Sequence, residues 1–237
     1  MSELIIDSKF NGPPNSGNGG YCCGIFAAAL KASPGTPIEV TLKSPPPLDQ
    51  PLQIKTTDTG IEILDGEISV GLAKPGQLNK QYPAPPTFAE SQKASTHYTG
   101  FGEHPYPTCF VCGPDRNHGD GLCIYPGATA DRSQVAAPWQ PYPQLADNNA
   151  MVRPEFIWAA LDCPSYFGTF INHENAYALL GRLTLQIFSP EIPADQPYIV
   201  TAWPLEHDGR KRYGGSALFS LQGECLALSH GTWILLK

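Results

Sequence analysis

Charge is scarce in this chain: charged residues make up only 16% of its 237, and its acids are scattered rather than gathered in a run. The formal net charge of -7 is scattered, which suits a soluble protein and argues against an electrostatic surface for nucleic acid. No apolar stretch approaches the ~20 residues of a membrane span, and Met1 to Phe10 has neither the basic start nor the apolar run of a secretory signal. A cytoplasmic protein with no membrane partner is expected. Also missing are a Gly-x-Ser-x-Gly elbow, a P-loop and a Gly-x-Gly-x-x-Gly following a strand, and with them the chemistries those turns support.

What is present is an apolar, turn-rich sequence. Hydrophobic residues reach 41%, too many for a disordered chain, and the length fits one large domain or two of roughly 100 residues. The 25 prolines and 23 glycines bias it towards strands joined by tight turns. Seven cysteines is an odd number, and Cys22 and Cys23 are adjacent, so free buried thiols are expected rather than a disulfide framework.

The sequence repeats itself. Val40 to Pro45, then Asp49-Gln50-Pro51 and a β-rich run from Leu52 to Thr57, is matched by Leu183 to Pro190, Asp195-Gln196-Pro197 and a run from Tyr198 to Trp203. Each reads as strand, turn, strand. Gly66-Glu67 before Ile68 to Ala73 is matched by Gly223-Glu224 before Cys225 to Leu236, a turn and closing strand in each copy. The interval from Asp to Gly is longer in the second copy, which implies longer strands or a longer hairpin near Asp208-Gly209.

A helix precedes the strands in each copy. Asn18 is placed to cap Gly19 to Lys31, with Ile25, Phe26, Ala29 and Leu30 as its buried stripe and Ser33-Pro34-Gly35 as its stop. Pro154 and Glu155 suit the first turn of a second helix whose apolar face is Phe156, Ile157, Ala160 and Leu161. Pro164 is expected to interrupt it, with resumption through Tyr166 to Ile171. The Pro-rich segment 76–108 reads as a linker between a first copy at 1–75 and a second at 109–237.

This order is that of the hotdog fold, and the second half resembles its acyl-CoA thioesterase branch. Cys109-Phe110-Val111-Cys112-Gly113-Pro114, followed by Gly119 to Leu122, resembles the entry segment of many such domains, and Trp158-Ala159-Ala160-Leu161-Asp162 resembles the end of the central helix, where an acid follows an apolar run. Asn18-Gly19-Gly20-Tyr21 is similar to the Gly-Gly helix entry of the superfamily. The resemblance implies an α+β tandem double hotdog, each half a long helix wrapped by an antiparallel sheet. The first helix has no acid matching Asp162 and the second no Gly-Gly entry, so a composite site would take one part from each copy. Loss of catalysis is the other outcome.

The resemblance implies a hydrolase in which Asp162 activates water or attacks a thioester carbonyl, and Asn18, Gly19 and Gly20 polarise that carbonyl. Tyr21 and Trp158 are candidates for substrate contact, and Arg210 and Lys211, in the only basic cluster, for the phosphates of coenzyme A. The substrate would be a small-molecule acyl thioester, coenzyme A entering only as part of it, and the chain a monomeric double hotdog or a homodimer. Plainer readings stand beside each. Asp162 could cap a helical segment starting near Pro164, the glycines could serve turn geometry, and the basic cluster could be a solvated hairpin tip.

Cys109 and Cys112 have metal-type spacing that His118 and Cys123 could complete, but a turn into a Leu122 to Tyr125 strand accounts for them more simply, and no metal is expected. The remaining histidines, His97, His104, His173, His207 and His230, show no partner in sequence. Two other functions stay open: a non-catalytic module that binds acyl-CoA or another acyl ligand, and a hotdog dehydratase or hydratase. The resemblance weighs against the last, because neither helix carries the His that pairs with the acid in those enzymes.

Overall fold

The computed structural model describes residues 2–172 and 177–236; His173 lies outside them. The first copy runs β1 (Ser2–Ile5), α1 (Gly19–Ala29), β2 (Ile38–Leu42), β3 (Pro51–Thr56), β4 (Ile61–Asp65) and β5 (Ile68–Pro75). A connecting region carries α2 (Phe88–Ser95) and the two-residue β6 (Gly127–Ala128). The second copy runs β7 (Val135–Trp139), α3 (Pro154–Thr169), β8 (Ala178–Ile187), β9 (Tyr198–Asp208), β10 (Lys211–Phe219) and β11 (Cys225–Leu235).

Both copies lay their strands in the same order. The described strands form one sheet, β1-β3-β4-β5-β2-β8-β11-β10-β9-β7-β6, so that β1, β3, β4, β5, β2 in one half mirrors β7, β9, β10, β11, β8 in the other. All neighbours are antiparallel. β2 and β8 join the halves, pairing Val40 with Leu183, and Arg182 braces the seam with a 3.4 Å ion pair to Glu39 and a hydrogen bond to Thr41. The repeated turns match in detail. Asp49 and Asp195 both take positive φ (55° and 64°), and their N–H groups donate to the carbonyls of Ile6 and Pro141, one residue past β1 and two past β7. Extra length in the second copy lies in β9 and β10, 11 and 9 residues against 6 and 5 in β3 and β4, and their hairpin turns at Gly209.

The helices pack on each other as well as on the sheet. Asn18 caps α1 as its sequence implies, its Oδ1 accepting from the Tyr21 N–H at 2.9 Å. The expected stripe is only partly right. Cys22, Cys23, Phe26 and Ala27 are buried, whereas Ile25, Ala29 and Leu30 are only half-buried, because α1 is enclosed by α3 on one side and the sheet on the other. α3 buries Phe156, Ile157, Ala160 and Leu161 as expected, yet it passes through Pro164 without interruption. Proline removes one backbone donor, and hydroxyls serve the neighbouring carbonyls instead: Ser216 Oγ donates to Leu161 O at 2.5 Å, Ser165 Oγ to Asp162 O at 2.8 Å and Thr169 Oγ1 to Ser165 O at 2.6 Å.

Two local expectations need correction. Leu122 to Tyr125 is not a strand. Cys123 has φ of 52°, which breaks the ladder, and Leu122 and Ile124 donate to Phe110 and Val111. Within 76–108, residues 88–95 form α2, closed by a capping box between Thr87 and Glu90 and packed against β7. That helix helps to wall the cleft described next.

Candidate active site

Asp162 lies in the middle of α3, buried to 2% exposure, and its carboxylate meets the start of α1. Its Oδ2 accepts from the Gly20 N–H at 2.8 Å and from Asn18 Nδ2 at 3.2 Å, while Oδ1 is buried without a partner. It therefore caps no segment of its own helix; it sits on the N-terminus of the other copy's helix. Burial raises its pKa from 3.8 to about 7, opposed by the Gly20 N–H, reinforced by Cys109 and opposed again by Asn18.

The glycines have a packing role here. A Cβ on Gly20 would meet the Trp158 carbonyl at 2.7 Å and the Asp162 Cβ more closely still, and a Cβ on Gly24 would lie 2.6 Å from the Glu155 Cα. One turn apart, the two glycines let α1 and α3 approach to backbone contact. The Gly20 N–H is occupied by Asp162, whereas the Gly19 N–H, at the first helical position, has no acceptor within its helix.

Three thiols adjoin the carboxylate. Cys109 Sγ lies 3.7 Å from Cys163 Sγ and 3.8 Å from Cys112 Sγ, and Asn18 Nδ2 reaches Cys109 and Cys163 at 3.8 and 3.7 Å. Hydrogen bonds from Cys112 and Cys163 hold the Cys109 thiol well below the usual range; the same contacts, with burial, push those of Cys112 and Cys163 up. His104 stands beside them with Nε2 3.4 Å from Cys112 Sγ. Cys163 follows Asp162 in sequence, and its part here went unread because spacing from Cys112 pointed to Cys123 and His118. Those two lie elsewhere: Cys123 donates to the Arg116 carbonyl and His118 packs on the Tyr142 ring.

The three thiols line a cleft of about 1350 Å³. One wall is α2 and the connecting region, with Lys93, His97 and Arg132; the other is the end of α3, with Tyr166, Phe167 and Phe170, together with Trp233 of β11. Asp162 and Asn18 sit directly behind the thiols and are not among the lining residues. The other expected contacts lie apart from it. Tyr21 stacks on Phe10 at 4.0 Å among buried aromatics, Trp158 is buried against Gly20 and Gly24, and Arg210 and Lys211 are exposed at the β9–β10 turn. The aromatic wall and the two cleft cations come from segments far apart in sequence, with no local motif to mark them.

Comparison with known proteins supports the fold. No family model and no curated protein matches the chain. Among solved structures, an acyl-CoA thioesterase II, TesB2, from Mycobacterium marinum superposes with a TM-score of 0.62 at 10% identity, over 99% of this chain and 92% of that one. A tesB protein of Mycobacterium avium subs paratuberculosis gives 0.62 at 9% identity with the same coverage. A conserved protein with hot dog fold from Alicyclobacillus acidocaldarius gives 0.60 at 9%, again over 99% and 92%. With two copies of one topology in a continuous sheet, the chain is a double hotdog.

Proposed function

We propose that the chain is a thioester hydrolase taking an acyl-CoA-type substrate in the cleft between α2 and α3. One observation carries the reading: the acid of the second copy is seated on the helix start of the first, immediately behind the cleft's buried thiols. Each copy lacks what the other supplies. Oδ2 of Asp162 is engaged by Gly20 and Asn18, which leaves Oδ1 as the atom to take a proton from water. Asn18 orients the carboxylate, and the Gly19 N–H is the donor at the helix start left for a developing oxyanion. The aromatic wall suits an acyl chain.

Lys93 and Arg132 replace Arg210 and Lys211 as candidates for the phosphates, because they line the cleft and the hairpin tip does not. The acids beside them are partly engaged: Glu90 accepts from Thr87, and Asp131 from Thr129 and Ser133. The double substitution K93E and R132E is expected to raise KM for an acyl-CoA about tenfold, or ~1.4 kcal/mol, and R210E with K211E to leave it within twofold. The opposite ranking would return the hairpin tip to the site.

A second reading has its own support, since Asp162 is 2% exposed and separated from the cleft by the thiols. On that reading the cleft binds acyl thioesters without cleaving them. Incubating the protein with a panel of acyl-CoAs and following free thiol separates the two. Release that D162A abolishes supports the hydrolase; release unchanged by D162A, or binding with no release, overturns it.

A further inference from the structure

We propose that Cys109, Cys112 and Cys163 form a binding site for one thiophilic cation, zinc(II), at the buried end of the cleft. Their three sulfurs lie within 4.8 Å of one another, and the two shortest separations are 3.7 and 3.8 Å. Zinc–thiolate bonds of about 2.3 Å in a tetrahedron place neighbouring sulfurs about 3.8 Å apart. The thiols are therefore already spaced for the ion. Two come from a C-x-x-C-G turn in the connecting region and the third from α3, so the ion would tie that region to the second copy's helix.

The surroundings are those of a ligand set. The turn is held tightly: Gly113 N–H donates to Cys109 O at 2.9 Å, a Cβ on Gly113 would lie 2.7 Å from that same oxygen, and the Tyr98 hydroxyl donates to Cys112 O at 2.9 Å. Polar donors point at the sulfurs. Asn18 Nδ2 faces Cys109 and Cys163, and His104 Nε2 faces Cys112. Donors of this kind neutralise metal-bound thiolates. His104 is a donor rather than a fourth ligand, because its Nδ1 accepts from the Tyr106 N–H at 2.9 Å, which assigns the ring proton to Nε2. All three cysteines line the cleft, so the fourth corner is left to solvent or to a donor atom of whatever occupies the cleft.

The site does not depend on the hydrolase reading, because metal content is measured without substrate. Protein expressed with zinc supplementation and purified under reducing conditions without chelator is expected to carry one zinc per chain by elemental analysis. Cobalt(II) in its place should give intense thiolate-to-metal charge-transfer absorption and the visible bands of a tetrahedral ion. C163A should lower zinc content at least tenfold, with C112A as the second variant should C163A fail to give a native circular dichroism spectrum. C123A should retain the metal. Wild-type protein that holds no zinc and gives no cobalt charge-transfer band would overturn the site, as would equal zinc in C163A and wild type, or a disulfide among the three thiols in the protein as purified from the cytoplasm.

Discussion

In the metal-free protein at pH 8, D162N is expected to melt at a higher temperature than the unmodified protein, by about 5 °C or more, and at pH 4 to melt at the same temperature. The buried carboxyl has its pKa raised from 3.8 to about 7, so the fold favours its protonated form. Stability linked to this group is complete below pH 4 and is lost as the pH rises through 7. Three units correspond to roughly 4 kcal/mol. Asparagine keeps an oxygen for Gly20 and Asn18 and puts an amide where Oδ1 has no partner. Even a third of that energy recovered moves the midpoint by several degrees in a chain of this length. Thermal melts of both proteins at the two pH values check it, and a variant that is less stable at pH 8 would contradict it. An acid that destabilises its own fold at neutral pH is a mark of a functional group.

Gly20→Ala should cost about 3 kcal/mol, seen as a midpoint lower by roughly 6–12 °C. In an ordinary helix interior the same change stabilises by about 1 kcal/mol, so the sign of the effect is informative. The added methyl group would meet the Trp158 carbonyl at 2.7 Å and the Ala159 Cα at 3.0 Å, both backbone atoms of a buried helix that cannot turn away. It would also push against Asp162 and lengthen the bond from the Gly20 N–H that seats the carboxylate. Hydrolysis should therefore fall further than the loss of folded protein explains. A variant as stable as its parent would show that α1 and α3 do not pack this closely.

What the sequence made legible was local. The Asp49 and Asp195 turns and the Asn18 cap are set by residues next to one another, and the structure has all three. Two copies of one unit followed from the turns alone. β7 was not foreseen, since Pro138 and two alanines in five residues carry no strand pattern; the segment is a strand because it pairs with β9. The break expected at Pro164 failed for a comparable reason. The hydroxyls that serve the nearby carbonyls include Ser216, more than 50 residues away in sequence.

The site divides along the same line. Asp162, Asn18 and Gly20 were named separately from a family pattern, and the structure brings them within hydrogen-bonding distance. Cys163 is adjacent to Asp162, but no spacing along the chain links it to Cys109 and Cys112; α3 brings its thiol back to their turn. Tyr21 and Trp158, candidates for substrate contact, both pack away from the cleft, Tyr21 on Phe10 and Trp158 against Gly20 and Gly24. The cleft itself depends on α2, the end of α3 and β11 meeting in space, which no short motif records.

The most direct test of a composite active site is the rate of acyl-CoA hydrolysis by D162N relative to wild type, measured at saturating substrate on folded protein. Loss of a general base lowers such rates by about 10²- to 10⁴-fold, and a fall of at least a hundredfold with KM little changed is the result expected here. Hydrolysis by D162N at the wild-type rate would contradict it.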